Sequence, residues 1–312
     1  MLFLELLTPA AAIAQRAELP IKEVVLSDGA RRYTVTVVLD GHPTQVALDT
    51  GSSGLRVLSR ALPPEAQSIS GKPIVSRFAS GTQFEGPKIR ITVAASTVNG
   101  AIDIQRIDRV ACAATQRDCP ASRIESSHFK IEGDGIAGEG FDAILGIGIR
   151  ADPVANPLVQ LGVTQWVVEL PRPGESTGLL IINPRPEEIA SYTIMPEDEY
   201  GTLLGCLIRS ASAERICGRA FFDTGAPGIR VIGGSHITPW PNGTPAIIAF
   251  GAGGKVESMQ VRIGRGEQAS GMYYSSWAAA PRARLSFGLA PYFNWSILYD
   301  AKHQTIGLNA RR

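Results

Sequence analysis

The chain has 312 residues, 44% of them apolar and 19% charged, which is enough apolar material for a packed core and excludes the disordered class. Lys+Arg is 30 and Asp+Glu is 29, so the net charge of 30 − 29 = +1 leaves no electrostatic footprint for nucleic acid or an anionic membrane surface. Frequent turn formers, 33 Gly and 21 Pro, with few long helical patterns favour a β-rich architecture, and length alone points to about two domains.

The first 15 residues, Met1 to Gln15, are apolar but too short to cross a bilayer. They run through Ala12-Ile13-Ala14, which fits a signal-peptidase site, although no Lys or Arg precedes it and Glu5 lies inside the run. Residues 1–19 are therefore read as an export signal segment, the other reading being a buried or disordered N-terminal stretch. No other segment reaches membrane length. Short strand signals follow: Tyr33-Thr-Val-Thr-Val-Val-Leu39, Thr44-Gln-Val-Ala-Leu48 running into Asp49, and the alternating Lys88-Ile-Arg-Ile-Thr-Val93 and Ala101-Ile-Asp-Ile-Gln-Arg-Ile107 with Asn99-Gly100 as the turn between them. Helical candidates are few, Ala155 to Leu161 and Pro291 to Trp295.

Four cysteines form two local pairs, Cys112 with Cys119 and Cys206 with Cys217, at spacings that do not suit zinc. The residues between Cys206 and Cys217 read as a hairpin with a polar tip, so these two sulfurs can face each other. Two disulfides and an oxidising compartment are expected, four buried free thiols being the other reading. The histidines at 42, 128, 236 and 303 have no ligand spacing, and Gly133 to Gly140 lacks the carboxylates of a calcium loop and reads as a flexible surface loop. No metal and no cofactor are expected.

One internal repeat dominates the chain. Leu48-Asp-Thr-Gly-Ser-Ser-Gly-Leu-Arg-Val-Leu58 returns as Phe222-Asp-Thr-Gly-Ala-Pro-Gly-Ile-Arg-Val-Ile232, at an offset of 223 − 49 = 174 residues. Each copy places Asp-Thr-Gly in a tight loop between apolar strands. If the halves pack about a pseudo-two-fold axis, Asp49 and Asp223 meet there. Two carboxyls in one site do not both ionise easily, so one holds a proton while the other is charged. Such a pair can activate a water and protonate a carbonyl, hydrolysing an amide by general acid/base chemistry without a metal. Gly51 and Gly225 allow the close backbone approach, and Thr50 and Thr224 supply hydroxyls that can bond to the opposite loop.

On these loops the chain resembles the pepsin-like aspartic proteases. The likeness extends to Phe141-Asp-Ala-Ile-Leu-Gly-Ile-Gly148, to a following helix within residues 153–163, to Ser176-Thr-Gly-Leu-Leu-Ile-Ile-Asn183, and to the C-terminal run from Leu285 to Leu308. The resemblance implies an all-β, bilobal fold with a central cleft, an N-terminal lobe over 20–190 and a C-terminal lobe over 191–312. It implies an aspartic endopeptidase acting on peptide or protein, with Asp49 and Asp223 as the dyad, Thr50 and Thr224 cross-bracing the loops and Ser52 orienting Asp49. Substrate would lie as an extra strand with side chains in apolar pockets. Phe78-Ala79-Ser80-Gly81 is the match to the family's flap over the cleft, with Phe78 where the family has Tyr. The family's Trp after the first catalytic Asp is Arg56 here. Arg56 and Arg230 hold equivalent places and are read either as outward, solvated charges or as residues that flank the cleft and prefer acidic substrates or contact the flap. Ala226 replaces the second hydroxyl of the loops, as in retroviral and renin-type enzymes, so Asp223 is expected to have a raised pKa and the enzyme a less acidic optimum than pepsin's.

A monomer, secreted or periplasmic, is expected, or a cytoplasmic one if residues 1–19 are not a signal. The twenty or so residues before the first lobe strand leave little room for both a signal and a long prosegment, so no conventional zymogen is expected. The altered Phe78 and Arg56 keep a second possibility open, a scaffold of this kind that binds peptide, glycan or protein without cutting it.

Overall fold

The computed structural model describes residues 15–63, 69, 72–172, 174–212, 214–234, 237–275 and 282–311. Most of the expected signal segment, and His236, lie outside the described residues. Among those described the chain is nearly all-β, with 22 strands and three short α-helices, and no helix is long and apolar enough to cross a membrane.

Three sheets carry the fold. The largest has twelve strands, in the order Thr193–Pro196, Thr305–Ala310, Trp295–Asp300, Gln165–Glu169, Gly178–Ile182, Ala17–Val25, Arg31–Leu39, His42–Asp49, Ala143–Ile147, Ser53–Leu58, Val98–Ile107 and Lys88–Ala95. Arg31–Leu39 also pairs with Lys88–Ala95, which curls the second half of this sheet back on itself. A seven-stranded sheet is built entirely from residues between Leu203 and Ser286, and a small one joins Ile74–Arg77, Thr82–Gly86 and Arg109–Cys112. The two halves of the chain meet where Gln165–Glu169 pairs with Trp295–Asp300. The first strand begins at Ala17, whose side chain is buried with Leu19 against Gly178–Ile182, so the sheet starts inside the stretch expected as signal rather than at residue 20.

The sequence repeat is also a repeat of topology. His42–Asp49 runs parallel to Ala143–Ile147, which pairs antiparallel with Ser53–Leu58, which runs parallel to Val98–Ile107. In the second half Arg215–Phe221 runs parallel to Arg284–Ser286, which pairs antiparallel with Ile229–Ile232, which runs parallel to Met272–Ser275. Each Asp-Thr-Gly thus leaves the end of a strand held on one side by a parallel neighbour. Ala143–Ile147 is buried at every position, as expected for a strand covered on both faces.

One apolar core, including Tyr33, Trp166, Phe250, Phe287 and Tyr292, runs through both halves. A second cluster of Phe84, Phe129, Ile131, Phe141 and Ile144 lies against the small sheet. Asn156 caps the helix Pro157–Gln160, its side-chain oxygen accepting from the backbone N–H of Leu158 and Val159. Both cysteine pairs are bonded, Cys112 to Cys119 and Cys206 to Cys217, the latter directly opposite each other in an antiparallel pair.

One turn differs from the sequence expectation. The hairpin between Lys88–Ala95 and Val98–Ile107 turns at Ser96-Thr97, with Ser96 at φ +56°, and Asn99 and Gly100 lie within the strand. Register decides it. The observed pairing sets Ile89 opposite Ile104 and Ile91 opposite Ile102. A two-residue turn at Asn99-Gly100 would set Ile91 against Asp108 and Val93 against Arg106, breaking the apolar face.

Candidate active site

Asp49 closes the strand His42–Asp49, and Asp223 follows Arg215–Phe221 by two residues. The loops after them interlock. The Thr50 N–H donates to Thr224 Oγ1 at 3.0 Å and the Thr224 N–H donates to Thr50 Oγ1 at 3.0 Å. Each hydroxyl also donates to the carbonyl before the opposite aspartate, Thr50 Oγ1 to Phe222 O at 3.2 Å and Thr224 Oγ1 to Leu48 O at 2.5 Å. These groups are buried, so the four bonds are shielded from competing water and fix one loop on the other. Behind them, Tyr292 bridges by hydroxyl contacts to Thr50 at 2.7 Å and Tyr299 at 2.5 Å.

The brace brings both carboxyls to one place. A side chain at Gly51 would put its Cβ 2.3 Å from the Asp223 carboxyl carbon, and one at Gly225 would lie 3.2 Å from that of Asp49. Gly51 is therefore required by Asp223, the close approach that only a missing Cβ permits, while a side chain at Gly225 would meet Glu132 Oε1 first, at 2.8 Å, and crowd Asp49. Asp49 and Asp223 are 4% and 9% exposed, and both line a cleft of about 810 Å³. Asp49 accepts from Gly51 N at 2.7 Å, Ser52 N at 3.2 Å and Ser52 Oγ at 2.5 Å. Asp223 accepts from Gly225 N at 3.0 Å and Ser286 Oγ at 2.9 Å. Burial, and then the charge of Asp49, push Asp223 up to about 7, against the bond from Ser286. The hydroxyl that Ala226 lacks is thus supplied by Ser286 on the neighbouring strand, and loss of that donor is not what raises Asp223. Ser286 was missed in the sequence because the parallel pairing of Phe221 with Ser286 joins residues 65 apart by 286 − 221.

The expected flap residues form the turn of the hairpin Ile74–Arg77 to Thr82–Gly86. Phe78 N–H donates to Thr82 O at 3.0 Å, and Gly81, at φ +86°, donates to Phe78 O at 2.9 Å. Phe78, Ala79 and Ser80 line the cleft. The turn is held from both sides, by Gln116 Nε2 donating to Ser80 O at 3.0 Å and by Ser275 Oγ from the other half donating to Ala79 O at 3.2 Å. Arg56 is no outward, solvated charge. It is 1% exposed, paired with Asp152 at 2.6 Å and bonded to Ser76 Oγ at 3.0 Å, and its guanidinium lies 5.5 Å from the centre of the Phe78 ring. Arg230 faces the cleft with one bond to Ser275 Oγ at 2.9 Å and sits over Tyr273 at 5.4 Å.

The cleft is lined by charged Arg32, Arg150, Arg230, Asp134 and Asp152 as well as by apolar Phe84, Ile144, Phe221 and Met272. One further expectation is corrected. The loop 133–140 is not a free surface loop, because residues 131 and 141 close its base by paired backbone bonds of 2.8 and 2.9 Å and Asp134 is paired with Arg32 at 2.6 Å. Just before it, Glu132 enters the cleft beside the dyad. Among the described residues no cluster of His, Cys, Asp and Glu has the arrangement of a metal site. The chain matches no protein-family model and no curated protein.

Proposed function

We propose that this chain is an aspartic-type endopeptidase with a bilobal, pepsin-like fold, its N-terminal lobe reaching to about residue 190 and its C-terminal lobe following from 191. The observation that carries the reading is the reciprocal Thr50–Thr224 brace, which sets two carboxyls against each other in one cleft. In this reading a peptide or protein lies across the cleft under the Phe78 turn. A water between the carboxyls loses a proton to the charged member and attacks the scissile carbonyl carbon, while the protonated member hydrogen-bonds the carbonyl oxygen. The tetrahedral intermediate collapses as the amide C–N bond breaks and the leaving nitrogen takes a proton, giving a new carboxyl and a new amine. The pair titrates as a unit, and the raised Asp223 keeps one proton in the site through the acid range. The mechanism calls on no cofactor, and the chain acts as a monomer because it carries both loops. Two disulfides fit a secreted or periplasmic protein.

The buried Arg56 under Phe78 favours one second reading, a cleft that binds peptide, glycan or protein without cutting it. The test of both is hydrolysis of a denatured protein mixture from pH 2 to 8, with and without a statine-type transition-state analogue, on the wild type and Asp49→Asn. Cleavage abolished by inhibitor and substitution alike supports the protease. No cleavage at any pH by folded protein supports the binding scaffold, and a maximum near pH 2 counts against the less acidic optimum.

A further inference from the structure

We infer that Glu132 is a specificity-determining residue that receives a cationic group of the substrate, an ammonium or guanidinium, beside Asp49 and Asp223. This rests on the reading of the site as a peptide-cutting cleft.

The side chain of Glu132 is 10% exposed and lines the cleft. A Cβ at Gly225 would lie 2.8 Å from Glu132 Oε1 and 3.2 Å from the Asp49 carboxyl carbon, so both carboxyls lean on the same backbone position of the second loop. Glu132 Oε2 is buried and accepts no hydrogen bond. The nearest cation does not satisfy it. Arg32 Nε is 3.9 Å away, and the three nitrogens of Arg32 donate elsewhere, Nε to the backbone oxygen of Glu132, Nη1 to Arg31 O and Nη2 to Asp134. A buried carboxyl oxygen without a partner costs free energy and calls for a group that completes it. The backbone adds a cost of its own, since Glu132 sits at φ +58°, a left-handed conformation that L side chains seldom adopt. The loop closure between residues 131 and 141 and the Arg32 bond to its carbonyl hold it there.

An acceptor held in this way is completed by a donor arriving with the ligand. Burial, which outweighs the opposing charge of Arg32 and is joined by the charges of Asp49, Asp223 and Asp134, raises the Glu132 carboxyl well above its ordinary range. A substrate cation favours its charged form and forms a charge-assisted bond. A neutral apolar group gains nothing there. The shared chemistry has two sources, a Lys or Arg side chain near the cut or the free α-amine of a chain end.

The experiment uses decapeptides in which Lys replaces norleucine at each position in turn, each with a free or an acetylated N-terminus, against wild type, Glu132→Gln and Glu132→Ala. The expected result is that wild type prefers Lys at one position near the cut by about ten- to a hundredfold in kcat/KM, and that Glu132→Gln and Glu132→Ala both level the pair. If the preference follows the free amine instead and is lost on acetylation, the cation is the chain end. Wild type that cuts but shows no preference for a cation at any position overturns the inference. So does a preference that survives Glu132→Gln, because the amide keeps one acceptor oxygen but loses the charge. If folded wild type cuts none of the peptides, the protease reading fails, and the same peptides titrated by fluorescence anisotropy decide the inference on affinity alone, by the same Lys-to-norleucine ratio.

Discussion

The two copies of the duplicated loop share a backbone plan but differ in what surrounds the charge. Asp49 takes all its donors from its own loop, two backbone N–H groups and Ser52. Asp223 takes one from its loop and one from Ser286 on the adjoining strand. The equivalent arginines diverge further: Arg56 is sealed beneath the Phe78 turn with an ion-pair partner, while Arg230 opens to the cleft and bonds a serine that in turn holds Ala79 in that turn. The two copies therefore share what brings the carboxyls together and differ around it, Arg56 lying under the Phe78 turn and Arg230 facing the cleft.

The largest effect is expected on removing each carboxyl in turn. If the pair works as one acid–base unit, Asp49→Asn and Asp223→Asn lower kcat by the same large factor, about a thousandfold or more, in spite of their different donors. Unequal losses in single-turnover hydrolysis would mean that the halves carry separable roles.

The arginines come next. Arg56→Met leaves Asp152 without its cation and removes the buried donor to Ser53 O, Ser76 and Gln105, the last two keeping their bond to each other, so denaturant unfolding should show a loss of about 3 kcal/mol. Arg230→Met removes one hydrogen bond and a ring contact at a partly open site, and the same measurement should move by less than about 1 kcal/mol. Equal losses would show that Arg230 is as structural as Arg56. A smaller effect is expected at Ser286→Ala, which deletes a donor to the charged form of Asp223. The alkaline limb of the pH–rate profile then moves upward by about one unit. Ser52→Ala is the matching control in the other half.

What the sequence revealed and what it hid have one physical division. The Asp-Thr-Gly repeat, the alternating strands and the local cysteine pairs are features of neighbours along the chain, and they are legible because local geometry forces them: a tight loop needs its glycine, and a half-buried strand alternates. The brace of Thr50 on Thr224 was accessible because the repeat itself supplies both partners. Ser286, Glu132 and the burial of Arg56 were not, because each depends on which strands become neighbours. Arg56 has the same residue type and spacing as Arg230, yet Asp152, 96 positions on, turns it inward. Glu132 did carry a faint signal, an acid opening the glycine-rich run 133–140, but that run reads as surface until Arg32 is seen to hold it. The slip at Asn99-Gly100 has the same origin, since a strong local turn signal yielded to the register of the apolar face.

Buried acids on both sides of the brace also make stability depend on pH. Glu197, in the second half, is pushed up to about 8 by burial and then by the neighbouring Asp198, against the pull of Arg150. Asp223 is pushed up to about 7, and Glu132, in the first half, is raised as well. An acid whose folded pKa lies above its unfolded one binds its proton more tightly in the native state. Its contribution is full below the unfolded value near 4 and is lost as pH rises toward the folded value. Glu188, Asp198 and Asp300 shift the other way, held down by ion pairs and hydrogen bonds, and withdraw their smaller, solvent-screened support as pH falls below about 4. The melting temperature should therefore peak near pH 4 to 5 and fall toward pH 8, each buried acid giving a slope on the order of 1 kcal/mol per pH unit within its window. Glu197→Gln removes one such group without touching the cleft and should flatten that fall between pH 5 and 8, whereas a melting profile as steep as wild type would show that Glu197 finds a partner in solution.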